Sequence, residues 1–358
     1  MQQVDLDDGL VRVTKELPQA VLQNTGLVYA SSLEGGITRK LGSKSFLYYD
    51  AGGNRIRDPK EIARFSAMAI PPAYTDVVIS ANPNSHLQAI GIDARGRKQY
   101  RYHPDWSAER GRAKFEKLSS FADSLPDIRE RVDRDLAVRK PTYERALATV
   151  VHLMDNLYIR VGNANYAAQN GSFGLTTLRN RHVKIEGSVV KFRFRGKSGK
   201  EWNVAHSDRR LAGALKRIQE LPGQTLFQYM DDDGFARQLS SQDVNDYIRD
   251  ASSGDFTSRQ FRTWGATRMA AFSLAALEVA PSQRERARQL NAIIDQVAAK
   301  LVNTRSVCRS SYIHPKVFED FETGTLKALV KLGKTRSARL HDWMDEDEIC
   351  VLRWLRSA

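Results

Sequence analysis

At His103-Pro104-Asp105-Trp106 the residue pattern of the chain changes, and this change limits the fold more than any other feature. Before it, short strand-type runs alternate with turn residues. Residues 45–56 reverse through Asp50-Ala51-Gly52-Gly53-Asn54, a hairpin signature. Asp58 and Pro59 then open a short helix as cap and first residue, and Ile70-Pro71-Pro72 ends it. Strands are expected over 74–80, 87–93 and 99–103; residues 1–40 show only a partly extended tendency. After the change, apolar residues recur at helical spacing: Phe115, Leu118, Phe121 and Leu125, then Leu147, Val150, Val151, Met154 and Leu157. Strands over 182–186, 189–195 and 200–204 interrupt the helices, which resume over 208–220, 241–251, 258–278, 282–301 and 323–356. The expected fold class is α+β: a small, mostly β domain over 1–104, then a larger, mainly α-helical domain over 105–358 carrying a three-stranded β-hairpin sheet.

The formal net charge of +13 over 358 residues favours a polyanionic partner, nucleic acid ahead of an anionic membrane. No apolar run approaches the roughly 18 residues of a membrane span. The N-terminus is acidic and lacks the apolar core of a signal peptide. Cys308 and Cys350 have no zinc-ligand spacing and suggest no disulfide framework, so a reducing cytoplasm fits. The seven histidines are scattered, and neither a metal nor another cofactor is expected. Asp231-Asp232-Asp233 beside Gly234 reads as an exposed turn.

The basic residues are clustered. Arg95-Gly96-Arg97-Lys98-Gln99-Tyr100 interleaves cations with groups able to reach sugar or base edges. Between Arg179 and Lys200, a stretch that includes Arg181, eight Lys or Arg residues face one acid, Glu186. A hairpin so charged suits a DNA backbone. Gly196-Lys197-Ser198 is not a phosphate loop, because the glycine that motif needs would fall on Lys191. A lysine at a hairpin tip can instead protonate a leaving oxygen; Lys197 and Lys200 both qualify. Arg160 ends an apolar helix and can point into a cleft, or can pair with Asp155 or Glu144. Arg259 and Arg262 share a helical face, with Phe261 and Trp264 on the other. Paired guanidinium groups can grip one phosphate. Asn303 either caps a helix or donates to a phosphate oxygen. The polar link 304–311 reads as a loop that leads to Tyr312, whose phenol could attack phosphorus.

These segments, with Ile70-Pro71-Pro72-Ala73-Tyr74, Ile159-Arg160-Val161-Gly162-Asn163 and Gly174-Leu175-Thr176-Thr177-Leu178-Arg179, resemble the type IB DNA topoisomerases of the bacterial and poxvirus-like branch. The resemblance implies that Tyr312 forms a 3′-phosphotyrosyl bond, that Arg160 and Arg262 clamp the phosphate, and that Lys197 rather than Lys200 is the general acid. Asn303 stands where the poxviral and eukaryotic enzymes have histidine. Tyr166 matches a phosphate-contacting tyrosine, and the surface around 95–102 matches a DNA-contacting one. The family implies a monomer closing as a clamp on double-stranded DNA and relaxing supercoils without ATP or an obligatory metal. A tyrosine recombinase is the neighbouring class, but its second-arginine motif is His-x-x-Arg and this chain has Arg259 at the first position. A non-catalytic DNA-binding clamp is the other alternative.

Overall fold

The computed structural model describes residues 22 and 25–357, apart from the side chain of Tyr166. The chain divides into two compact units, Met1–Lys114 and Phe115–Ala358, so the division falls later than the change of pattern at Pro104.

The first unit is built on one antiparallel six-stranded sheet in the order β3-β2-β1-β4-β5-β6. The strands are β1 Ile37–Leu41, β2 Phe46–Tyr49, β3 Arg55–Ile56, β4 Thr75–Ile79, β5 Leu87–Ile92 and β6 Lys98–Tyr102. Strand β1 lies in the unread stretch, and its signal is faint because only Ile37 of its five residues is buried. Helix α1 (Pro59–Ala67) starts as expected, with the Asp58 carboxylate accepting from the Lys60 N–H at 2.9 Å. Its Phe65 packs with Ile37, Tyr48, Val77, Ile79 and Ala89. A residue of this size contributes about 1.5–3 kcal/mol on burial. Helix α2 (Pro104–Glu116) runs across the division between the units.

The second unit is mainly helical. Helices α3 (Leu118–Leu136) and α4 (Tyr143–Leu157) are followed by α5 (Ala164–Asn170) and by the antiparallel sheet of β7 (Val183–Glu186), β8 (Val189–Arg195) and β9 (Glu201–Ser207). Along β8, Val190, Phe192 and Phe194 are buried while Lys191, Arg193 and Arg195 are exposed. The period-2 alternation thus puts the cations on the open face of the sheet. Helix α6 (Arg209–Gln219) leads to a short hairpin, β10 (Gln228–Met230) and β11 (Ala236–Gln238), which the sequence reading missed. The aspartate triplet makes its turn, as expected, with Asp231 accepting from Phe235 N–H and Arg237. Helices α7 (Ser241–Ser252), α8 (Ser258–Ala275) and α9 (Gln283–Leu301) complete the core.

Two expectations fail near the C-terminus. The link 304–311 is not a loop: Arg305–Ser311 forms helix α10, capped by the Thr304 hydroxyl on Val307 N–H. Two turns are too short to show a hydrophobic period, although the capping threonine was visible. The single helix expected over 323–356 is instead divided. Helix α11 (Pro315–Thr323) ends at Gly324, whose φ of 78° is left-handed. A 3₁₀ segment (Thr325–Gly333), α12 (Ala338–Trp343) and α13 (Glu346–Arg356) follow, with Ser337 and Asp345 capping the last two. Among the described residues no helix is long and apolar enough to cross a membrane.

Candidate active site

Helix α8 is the centre of the site. Every residue from Phe261 to Thr267 is buried, so the expected split into an arginine face and an aromatic face does not hold. Arg262 is 3% exposed, whereas Arg259 is exposed to solvent. The Arg262 guanidinium donates to the carbonyls of Tyr158 and of Leu301, the latter at 2.9 Å. Both carbonyls lie at helix C-terminal ends, where the helix dipole favours a cation. Gly265 makes this geometry available: a Cβ there would lie 2.1 Å from the Tyr158 ring. Trp264, on the same helix, donates to the buried Glu348 carboxylate at 3.0 Å. Arg129 meets Glu348 through both nitrogens at 2.6 and 2.8 Å and also holds Asp155 at 2.7 Å. Asp155 is therefore already paired and is not the partner of Arg160.

Arg160 is positioned by a loop crossing. Leu175 N–H donates to its carbonyl at 2.9 Å, and Thr176 N–H to that of Val161 at 2.7 Å. The two loops cross at Gly162, with φ 103°, and Gly174. A Cβ on Gly174 would sit 2.5 Å from the Gly162 Cα, so the crossing needs glycine. The Arg160 guanidinium then donates to Asn303 Oδ1 at 2.8 Å. Asn303 follows Val302, which is the left-handed cap of α9, so Asn303 is not the cap itself. Its backbone carbonyl accepts from Lys200 Nζ at 3.1 Å. Its Nδ2 is buried with no aligned acceptor.

Tyr312 ends α10 and completes the group. Its carbonyl accepts from the Thr267 hydroxyl at 3.2 Å, and that hydroxyl accepts from His314 N–H at 3.1 Å. Arg262 lies 5.0 Å from the centre of its ring. Burial alone would raise the phenol, but Arg262 and Arg160, both also hydrogen-bonded to it, bring it down to about 8. Burial and the neighbouring Arg160 lower Arg262 to about 10. Among the described residues neither guanidinium is in an ion pair with a carboxylate. Two cations, an amide N–H and an acidic phenol therefore converge with no anion among them.

The hairpin lysines differ in placement. Lys200 is at the site, on Asn303. Lys197 is exposed at the tip, where Ser198 and Gly199 have φ of 62° and 72°. Its ammonium makes no hydrogen bond or ion pair among the described residues. Arg179 and Arg181 are exposed around the short turn before β7, with Arg179 6.0 Å from the centre of the Phe173 ring. Tyr166 lies on α5, but its side chain is outside the described residues. In the first unit, Arg95 and the surface residues Lys98 and Tyr100 lie on the β5–β6 hairpin, with Tyr100 47% exposed. Arg97 and Gln99 are turned to Asp93, at 2.8 and 3.1 Å, and the Arg97 side chain lowers its carboxyl to about 2, helped by the backbone N–H groups of Arg97 and Arg95.

The sequence reading missed Thr267 and Cys308. Thr267 stands out as a hydroxyl inside a buried helix, a signal that was available. Cys308 is buried beside Asn303 and the two arginines, and burial raises its thiol. The structure also gathers His152, His206 and Asp208, a grouping that linear spacing did not reveal and that departs from the expected absence of any metal-ligand cluster.

Residues 99–337 match the family model described as the catalytic core of eukaryotic DNA topoisomerase I, and residues 45–93 match that of the N-terminal domain of bacterial DNA topoisomerase IB. These matches place the protein among the DNA topoisomerases, enzymes that act on DNA. The DNA topoisomerase 1B of Acanthamoeba polyphaga mimivirus is 32% identical over 78% of this chain and 85% of its own length. The DNA topoisomerase 1B of vaccinia virus (strain Copenhagen) is 22% identical over 70% and 78%. The chain belongs to the type IB DNA topoisomerase family.

Proposed function

We propose that Tyr312 opens one strand of duplex DNA and holds its 3′ end as a phosphotyrosyl ester. The observation that carries this reading is the phenol, hydrogen-bonded to two guanidinium groups that have no carboxylate partner among the described residues. A phosphodiester would supply the missing negative charge. Arg160 and Arg262 would hold its non-bridging oxygens, where charge grows as phosphorus gains a fifth ligand. Asn303 Nδ2 is a third donor and, being an amide, stays neutral at every pH.

The phenol gives its proton to solvent water, and its oxygen bonds to phosphorus. The bond from phosphorus to the 5′ oxygen breaks, and Lys197 protonates that oxygen. Lys200 is already engaged by the Asn303 carbonyl, so we assign it to holding Asn303. Lys197 sits on a tip whose left-handed residues can turn it toward a bound strand. The reverse steps restore phenol and phosphodiester. The ester conserves the bond energy, so resealing needs no ATP, and the free 5′ end can rotate meanwhile. The wider reading is a monomer whose smaller and larger units close on the duplex. Lys98, Tyr100, Arg179, Arg181 and Arg259 would then offer exposed side chains to the DNA.

The test is relaxation of positively and negatively supercoiled plasmid in EDTA without ATP. Wild type should relax both, and Tyr312→Phe neither while still binding duplex. Relaxation by Tyr312→Phe would refute the assignment. A suicide substrate should trap covalent DNA on wild type alone.

A further inference from the structure

His152 on α4, His206 on β9 and Asp208 at the start of α6 present ligand atoms within 4.8 Å of one another. His152 Nε2 lies 3.2 Å from Asp208 Oδ2. It is buried, yet no hydrogen bond is aligned on it. The two atoms are therefore side by side, as two ligands of one ion are, rather than donor to acceptor. Asp208 Oδ1 caps α6 by accepting from Leu211 N–H at 2.9 Å, which fixes the carboxylate. The strand alternation of β9 puts His206 on the face shared by Trp202 and Val204, and its ring centre is 5.8 Å from that of His152.

We propose that these three residues form a site for a divalent transition-metal ion of the zinc class. Two imidazoles and one carboxylate suit that class, whereas calcium and magnesium prefer all-oxygen sets. Ligands held at about 2.0–2.1 Å in a tetrahedron lie roughly 3.3 Å apart. The His152–Asp208 pair is already at that spacing, and a small rotation of His206 would bring in the third ligand. The fourth position is left to water, because all three residues are half-buried. His152 also lines a cavity of about 310 Å³ with Asp155, Asn156 and Arg210, which gives the ion a way in. The ion would tie α4, which leads to Arg160, to β9, which descends from the Lys197 tip.

The test uses the tag-free full chain after chelation. Cobalt(II) should give a visible ligand-field absorption that zinc abolishes, and zinc should raise the melting temperature. His206→Ala should weaken the ion by at least about 10-fold, since even losing a supporting partner of a ligand has that effect. Asp208→Asn keeps the helix cap but removes the charged ligand, and should also lose the zinc-dependent rise in melting temperature. His341→Ala, an exposed histidine outside the trio, should behave as wild type. The proposal is overturned if wild type shows neither signal at micromolar ion, or if both trio variants bind as wild type does. Basal relaxation in EDTA, unchanged in both trio variants, shows that they fold.

Discussion

The phenol of Tyr312 illustrates how two neighbours can reverse the effect of burial. Its lowered value has a direct consequence. In the DNA-free enzyme one tyrosine should ionise near pH 8, seen as tyrosinate absorbance, and Tyr312→Phe should abolish that step. Arg160→Ala should move the step upward, because burial would then be opposed by one cation rather than two; no movement would detach Arg160 from the phenol. Asn303→Ala should slow cleavage by about 10²–10³-fold, the usual effect of losing one charge-stabilising donor. The rate of that variant measured in single turnover is the check. Much of this site was legible at the residue scale: Arg160, Arg262, Asn303 and Tyr312 were each named, and the structure brings them together. The partners that hold them were less visible. Thr267 and the carbonyls of Tyr158 and Leu301 act through three-dimensional placement, and a backbone carbonyl has no letter in the sequence.

Among elements, α8 and the β8–β9 hairpin divide the work between rigidity and reach. Gly265 lets α8 lie against the Tyr158 ring, so Gly265→Ala would force an overlap at 2.1 Å. Overpacking of this kind costs about 1–3 kcal/mol or more. Denaturant melts should show the loss, together with weaker cleavage, since the same shift displaces Arg262. At the hairpin, Lys197→Ala should slow cleavage by roughly 10²–10⁴-fold. A 5′-phosphorothiolate substrate, whose leaving group needs no proton, should restore the rate; rescue of Lys200→Ala instead would move the acid role there. Element types were read best where the period was long, as in α4 and α8. The strand alternation of β8 was equally clear. Helix α10 was misread because its two polar turns show no apolar period, and the C-terminal region because caps at Gly324, Ser337 and Asp345 outweigh the apolar pattern that runs through it.

At the scale of the whole molecule, charge acts in two ways. The basic surface should make DNA binding fall steeply with salt, and a flat dependence would contradict phosphate-led contact. Inside, Glu348 is the acid on which Arg129, Arg268 and Trp264 converge. Burial opposes its ionisation, but these partners hold its carboxyl well below the usual range. A lowered carboxyl stabilises the fold above its unfolded value, near 4.3, and that contribution is lost as pH falls. Glu348→Gln should therefore lose roughly 3 kcal/mol at neutral pH and show a flatter acid limb in its melting profile. The division near Lys114 also belongs to this scale. The change of pattern at Pro104 pointed to two domains, but a helix crossing the junction hides where one core ends.

The Glu348 cluster has a consequence for how the fold assembles. It joins residues 219 and 84 positions apart in the chain, so it forms only once elements distant in sequence have met. A copy truncated before α13 would still contain Arg160, Lys197, Arg262, Asn303 and Tyr312. It would lack the anion that ties Arg129 to Trp264, and the apolar side of α13 that covers α8. Such a truncated copy would hold the residues proposed to react without the scaffold that aligns them. Alignment of the proposed site is thus tied to the docking of one short helix far from it in sequence.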